Sequence, residues 1–212
     1  MGMPLPRLTP EALRGAVLEM CDEASQMLRL TRDAFLQPSA AALEQVTALG
    51  RDLHLREKRL TDHVAMQIRE YPWSLGVAEH LAFLPAALER IGDSVEALAR
   101  CVQSVHRDGI PFSERAIGDV IALFNRAIDL VDGVASVIRD GGQAGLSRIR
   151  HEGEQFQAFS DAVAHNHQER LLRGVCVAHG SSLFLAMVDY FREIERYTRR
   201  MSTDVEKALA TS

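Results

Sequence analysis

Residues 81–95 read LAFLPAALERIGDSV, and residues 187–201, half the chain away, read MVDYFREIERYTRRM. Leu81, Leu84, Leu88, Ile91 and Val95 match Met187, Tyr190, Ile194, Tyr197 and Met201 in apolar character, and Leu88-Glu89-Arg90 returns as Ile194-Glu195-Arg196 at the same offset. Self-similarity at a fixed period is the mark of a repeated structural unit. Each half of the 212 residues is therefore read as one unit. The copies differ at one telling position, where Asp93 of the first becomes Arg199 of the second.

The spacing around these stretches is helical throughout. Thr9-Pro10-Glu11 supplies a hydroxyl N-cap, a first-turn proline and a first-turn acid, and predicts a helix to about Leu36. After Gln37-Pro38-Ser39 a second helix is expected from Ala40 to about Glu70, with Leu43, Val46, Leu49 and Leu53 on one face. A third is expected from about Leu75 to His106, kinked at Pro85 by the lost hydrogen bond and ring clash. Asp108-Gly109-Ile110-Pro111 divides the halves. The second half predicts helices over about Ser113–Arg139, with Ile117, Ile121, Phe124, Ile128 and Val131 along one side, then Ala144–Leu172 and Val175–Leu209. No alternating strand pattern appears. The fold expected is all-α, six long helices in two tandem three-helix bundles, residues 9–107 and 112–209. Leu81, Leu84, Leu88, Ile91, Val95, Leu98, Val102 and Val105 alternate spacings of three and four, which makes them a buried seam. Superposing the halves should place Leu88 on Ile194 and Leu81 on Met187.

Composition narrows the function. A formal charge of -5 with 25% charged residues gives no basic face for nucleic acid. Cys21, Cys101 and Cys176 are odd in number and carry no C-x-x-C spacing, so a reducing, cytoplasmic setting is expected. No run reaches the eighteen or so apolar residues of a membrane span, and membrane contact is expected only through a partner. No Walker loop or Rossmann fingerprint is present. None of the eight histidines follows an acid by three residues, so the Glu-x-x-His pairs of ferritin-like di-iron sites are absent. Ser181-Ser182 with Cys176 and His179 lack a strand-to-helix elbow and read as early-helix packing.

Heptad placement puts Glu89 and Asp93 one turn apart on an outward face, a pair that on spacing alone is a solvated helix surface. Gly92 between them costs about 1 kcal/mol relative to alanine and signals close approach by another helix or a ligand. The hexapeptide Leu88-Glu89-Arg90-Ile91-Gly92-Asp93, late in the third helix of a repeated three-helix unit, resembles the signature of the PhoU family of phosphate-transport regulators. Asp189-Tyr190-Phe191-Arg192-Glu193-Ile194-Glu195-Arg196-Tyr197 resembles the variant in PhoU-like regions attached to sodium/phosphate cotransporters.

The resemblance implies a regulator that docks on a phosphate transporter, whether its ABC ATPase or a sodium/phosphate cotransporter, and on a sensor histidine kinase, with self-association into a homodimer. It also implies a metal ion, such as iron, zinc or magnesium, on the acidic faces. Glu89 and Asp93 are its first candidates and Asp52 an additional acid, although Arg56 follows four residues later; Glu152 is the rough counterpart of Asp52. In the second half Glu195 faces Arg199 at i+4 as a salt bridge, leaving Asp189-x-x-x-Glu193 as a substitute pair. Any ion is thus expected on the first bundle. Asp161, His165 and Glu169 form a further stripe beside His167 that could suit a transition metal. The alternative from another class is a metal-dependent enzyme with a carboxylate-only site.

Overall fold

The computed structural model of the chain describes residues 9–70, 82–174 and 178–210. They form α1 (Pro10–Leu36), α2 (Ala40–Glu70), α3 (Leu84–Arg107), α4 (Glu114–Asp140), α5 (Gln143–Leu172) and α6 (Ala178–Ala210), with no strand among the described residues. Hydroxyl caps start three of them: Thr9, Ser39 and Ser113 each accept at 3.2 Å from the amide three residues on. These bonds satisfy amides that have no partner inside the helix. Gly141 and Gly142, at φ 72° and 110°, stop α4 in backbone that a side chain would strain.

Within each half the three helices pack on one another, and the halves join through α1 on α4 and α3 on α6. Like meets like at that junction, the contact pattern of a two-fold axis relating the repeats. One continuous core runs through both halves. Of the predicted seam, Leu84, Leu88, Ile91, Val95, Leu98, Val102 and Val105 are buried, and so are Met187, Ile194 and Met201 in the second half. Leu81 lies outside the described residues. Polar bonds reinforce the α1–α4 junction, where Ser25 Oγ donates to Asp132 at 2.6 Å and Arg32 to Asn125 at 3.0 Å.

Two expectations are corrected. Pro85 does not kink a longer helix; it sits in the first turn of α3, where its missing N–H leaves no bond unmade. Residues 71–81, expected to hold the helix start, lie outside the described residues. Ile117, expected in the α4 core stripe, is 37% exposed because this turn buries Ala116, Asp119 and Val120 instead. The reason for Gly92 is helix packing: a Cβ there would stand 3.2 Å from Leu53 Cδ2 on α2. Glycine lets α2 and α3 close at that point.

Candidate functional site

Because α3 packs on α1, α2 and α6, it keeps only a narrow exposed stripe that includes Arg90 and Asp93. Glu89 is not on it. This corrects the expectation of two exposed acids, since the Glu89 side chain is 19% exposed against 53% for Asp93. It leans toward α2, where one carboxylate oxygen lies 3.1 Å from His54 Nδ1. Arg90, between the two acids in sequence, approaches both, at 3.8 Å from Glu89 and 3.3 Å from Asp93. Sequence reasoning passed over Arg90 and His54. The i, i+3 spacing of Arg90 to Asp93 could have revealed the first; nothing local could reveal the second.

The second half repeats this design with different chemistry. Glu195, the counterpart of Glu89, is 2% exposed; it accepts from Arg199 Nε at 3.0 Å and from Gln157 Nε2 at 3.1 Å. The expected Glu195–Arg199 salt bridge is present. Gln157 stands 103 residues after His54 and Glu195 stands 106 after Glu89, so the two α2–α3 and α5–α6 contacts are equivalent. Asp189 and Glu193 are exposed and each is tied to an arginine three residues on, at 3.1 Å to Arg192 and 3.3 Å to Arg196. Glu193 also accepts from Ser94 of α3 at 3.3 Å, across the junction of the halves. Arg192 reaches α5, bonding the Ser160 hydroxyl at 3.3 Å and Asp161 at 2.6 Å.

Residues 17–102 match the family model of the PhoU domain. Those residues therefore carry a PhoU domain. PhoU from Pseudomonas aeruginosa superposes with a TM-score of 0.86 at 13% identity, covering 95% of this chain and 97% of its own. The phosphate transport system regulatory protein PhoU from Streptococcus pneumoniae gives 0.81 at 10% identity, with 95% of each chain covered. A putative PhoU-like phosphate regulatory protein from Shewanella oneidensis MR-1 gives 0.63 at 13% identity over the full length of both chains. At these identities the likeness establishes the PhoU fold across both halves. No curated protein matches in sequence.

The metal that the PhoU resemblance implies finds a poor fit. Among the described residues no three His, Cys, Asp or Glu side chains stand close enough to hold an ion. Hard cations take six or more oxygen ligands, several of them from the protein. Glu89 and Asp93 offer two carboxylates with the Arg90 guanidinium at both. Asp52 is exposed on α2, and Arg56, one turn on, pairs instead with Glu19 and Glu23 of α1. Asp189 and Glu193 face arginines of their own helix. Cations supplied by the chain stand where the resemblance places a metal, on both repeats.

The histidine stripe behaves likewise in this PhoU fold. Asp161 pairs with Arg192, and Glu169 with His165 at 3.5 Å and Arg173 at 3.7 Å. His167, 3% exposed, stacks on Phe184 with ring centroids 4.1 Å apart. Burial holds its pKa below the usual histidine value, Arg170 adds to that, and Asp119 opposes it. Cys21 is buried, and its thiol is pushed up to about 12 by desolvation and the nearby Asp22, too high for a thiolate nucleophile. Cys176 and the His179 side chain lie outside the described residues.

A pH dependence follows. The folded state keeps His167 neutral while the unfolded chain protonates it near the ordinary value of about 6.5. The unfolded state therefore binds more protons as pH falls, and stability drops from about pH 7 downward until the lowered folded value is passed. Denaturant unfolding of the wild type between pH 7.5 and 5.5 should show that loss. His167→Phe, which keeps the stacking partner without the proton site, should reduce the slope; an unchanged slope would place the titration elsewhere.

Proposed function

We propose that the chain is a non-enzymatic regulator of phosphate uptake and phosphate signalling, working by docking on a phosphate transporter or a sensor histidine kinase. The observation that carries this reading is the PhoU domain at residues 17–102 within a chain whose two halves share the PhoU fold. Its helices suit docking, not membrane insertion, since no helix among the described residues is long and apolar enough to cross a membrane. The enzyme alternative needs a carboxylate-only site, and of the candidate acids Glu89, Asp93, Asp189 and Glu193 are each paired with arginine or histidine. The ABC ATPase and the sodium/phosphate cotransporter are both candidate partners, and the resemblance of residues 189–197 to the variant in cotransporter-attached regions favours the cotransporter.

Deleting the gene in its own host and following a phosphate-responsive promoter tests this directly. The expected result is expression that no longer falls when phosphate is plentiful, restored by the intact gene. Normal repression together with normal phosphate uptake in the deletion strain would contradict the proposal.

A further inference from the structure

The crossing of α3 and α6 carries an asymmetry between the repeats. Moving 106 residues along the chain takes Ser94 of α3 to Arg200 of α6, and moving back takes Glu193 of α6 to Ala87 of α3. Ser94 and Glu193 are hydrogen-bonded across the junction. Their equivalents, Arg200 and Ala87, do not bond; they line a recess of about 400 Å³ with Glu57, Phe83, Ala86, Glu89, Tyr197 and Arg90, the last already paired with Glu89 and Asp93. The repeat partner of Ala86 is Arg192, whose guanidinium spans from α6 to the hydroxyl and carbonyl of Ser160 and to Asp161 on α5. The α2 residue in the place of Ser160, 103 residues earlier, is Glu57.

The first half has thus lost two adjacent side chains that the second half uses to fill this position, a guanidinium and a carboxylate. The walls of the recess carry charges where the symmetry-related part of the crossing has serines, Glu57 for Ser160 and Arg200 for Ser94, with Lys58 in the place of Asp161. Glu57 carries an acid whose hydrogen bond among the described residues is to Thr61 at 2.8 Å, and Arg200 carries a guanidinium with no ion-pair partner among the described residues. Close helix approach does not require the alanines, because the symmetry-related part of the same crossing accommodates Arg192 and Glu193. Burying complementary ion pairs in a recess excludes partners that lack either charge.

We propose that this recess is a docking site for a protein segment presenting adjacent basic and acidic side chains, the basic one on Glu57 and the acidic one on Arg200, in the order of Arg192 and Glu193 on α6. The inference rests on the docking role proposed above only for the identity of the partner.

The test uses the dipeptide N-acetyl-Arg-Glu-amide titrated into isotopically labelled full-length chain, followed by amide chemical shifts. Saturable shifts at residues 57, 86–87 and 197–200 are expected, weakened at least tenfold by Glu57→Gln or Glu57→Arg. N-acetyl-Glu-Glu-amide should bind at least tenfold more weakly. Ala86→Arg with Ala87→Glu, which copies the second half, should abolish the shifts while leaving a dispersed, folded spectrum; if that variant does not fold, the two Glu57 variants decide the matter alone. Tighter binding of the di-acidic peptide, shifts located elsewhere, or no shifts at all would overturn the proposal. Dipeptide binding with normal promoter control in the deletion strain would reject the regulatory role and keep the site. Lost control in that strain without dipeptide binding would do the reverse.

Discussion

Phe191→Ala should lower the unfolding free energy by about 3–5 kcal/mol, the largest loss expected from any single truncation considered. Phe191 on α6 and Phe124 on α4 are both fully buried, and their rings meet edge to face with centroids 4.7 Å apart. Truncation removes the transfer energy of the ring, the aromatic pair and the close packing around it, and leaves a cavity that long helices cannot easily close. For a chain of this size the melting temperature should fall by about 10 °C or more. Phe83→Ala is the control. Its ring is 53% exposed, and its loss should stay within about 0.5 kcal/mol. Thermal unfolding of the two variants side by side checks the packing, and equal melting temperatures would show that the second-half core is not built as described.

The second large effect is expected at Glu195, and the comparison with its repeat partner makes it informative. Glu195→Ala removes two hydrogen bonds to a charged acceptor that is itself only 2% exposed and should cost about 1.5–3 kcal/mol, although Gln157 and Arg199 are both exposed and can rehydrate. Glu89→Ala should cost less than about 1 kcal/mol, since its partners His54 and Arg90 are both mostly exposed and rehydrate. Adding Asp93→Ala to Glu89→Ala should change stability little further, for Asp93 is already in solvent. Denaturant melts of the three variants provide the check. A Glu89 loss equal to that of Glu195 would mean that both repeats rely on a buried acid in the same way.

These contrasts mark where the sequence was legible and where it was not. Helix positions could be read because apolar spacing, hydroxyl caps and the Gly-Gly and Gly-Ile-Pro breaks are local signals, and Thr9, Ser113 and Gly141 each act as their residue types dictate. The start of α3 was misread because Pro85 fits either a kink or a first turn, and only what precedes it distinguishes the two. The outward assignment of Glu89 failed for a different reason. A heptad describes one seam, whereas α3 packs on three helices and buries residues beside the seam as well. Arg199 could be paired with Glu195 from their spacing alone. The bonds from His54, Gln157 and Ser160 join residues more than thirty positions apart, and no local pattern encodes them.

The central proposal, that this chain with its PhoU domain regulates phosphate handling by docking on a partner, is tested most directly by a binding measurement. The purified full-length chain would be immobilised and exposed in turn to the phosphate-transporter ATPase, the phosphate cotransporter in detergent and the cytoplasmic part of the sensor kinase from its own host. Saturable binding to at least one of them is expected, weakened by Glu57→Arg and unaffected by Leu172→Ala, a solvent-exposed position away from the recess. Absence of binding to all three, with the chain shown to be folded, would contradict the account.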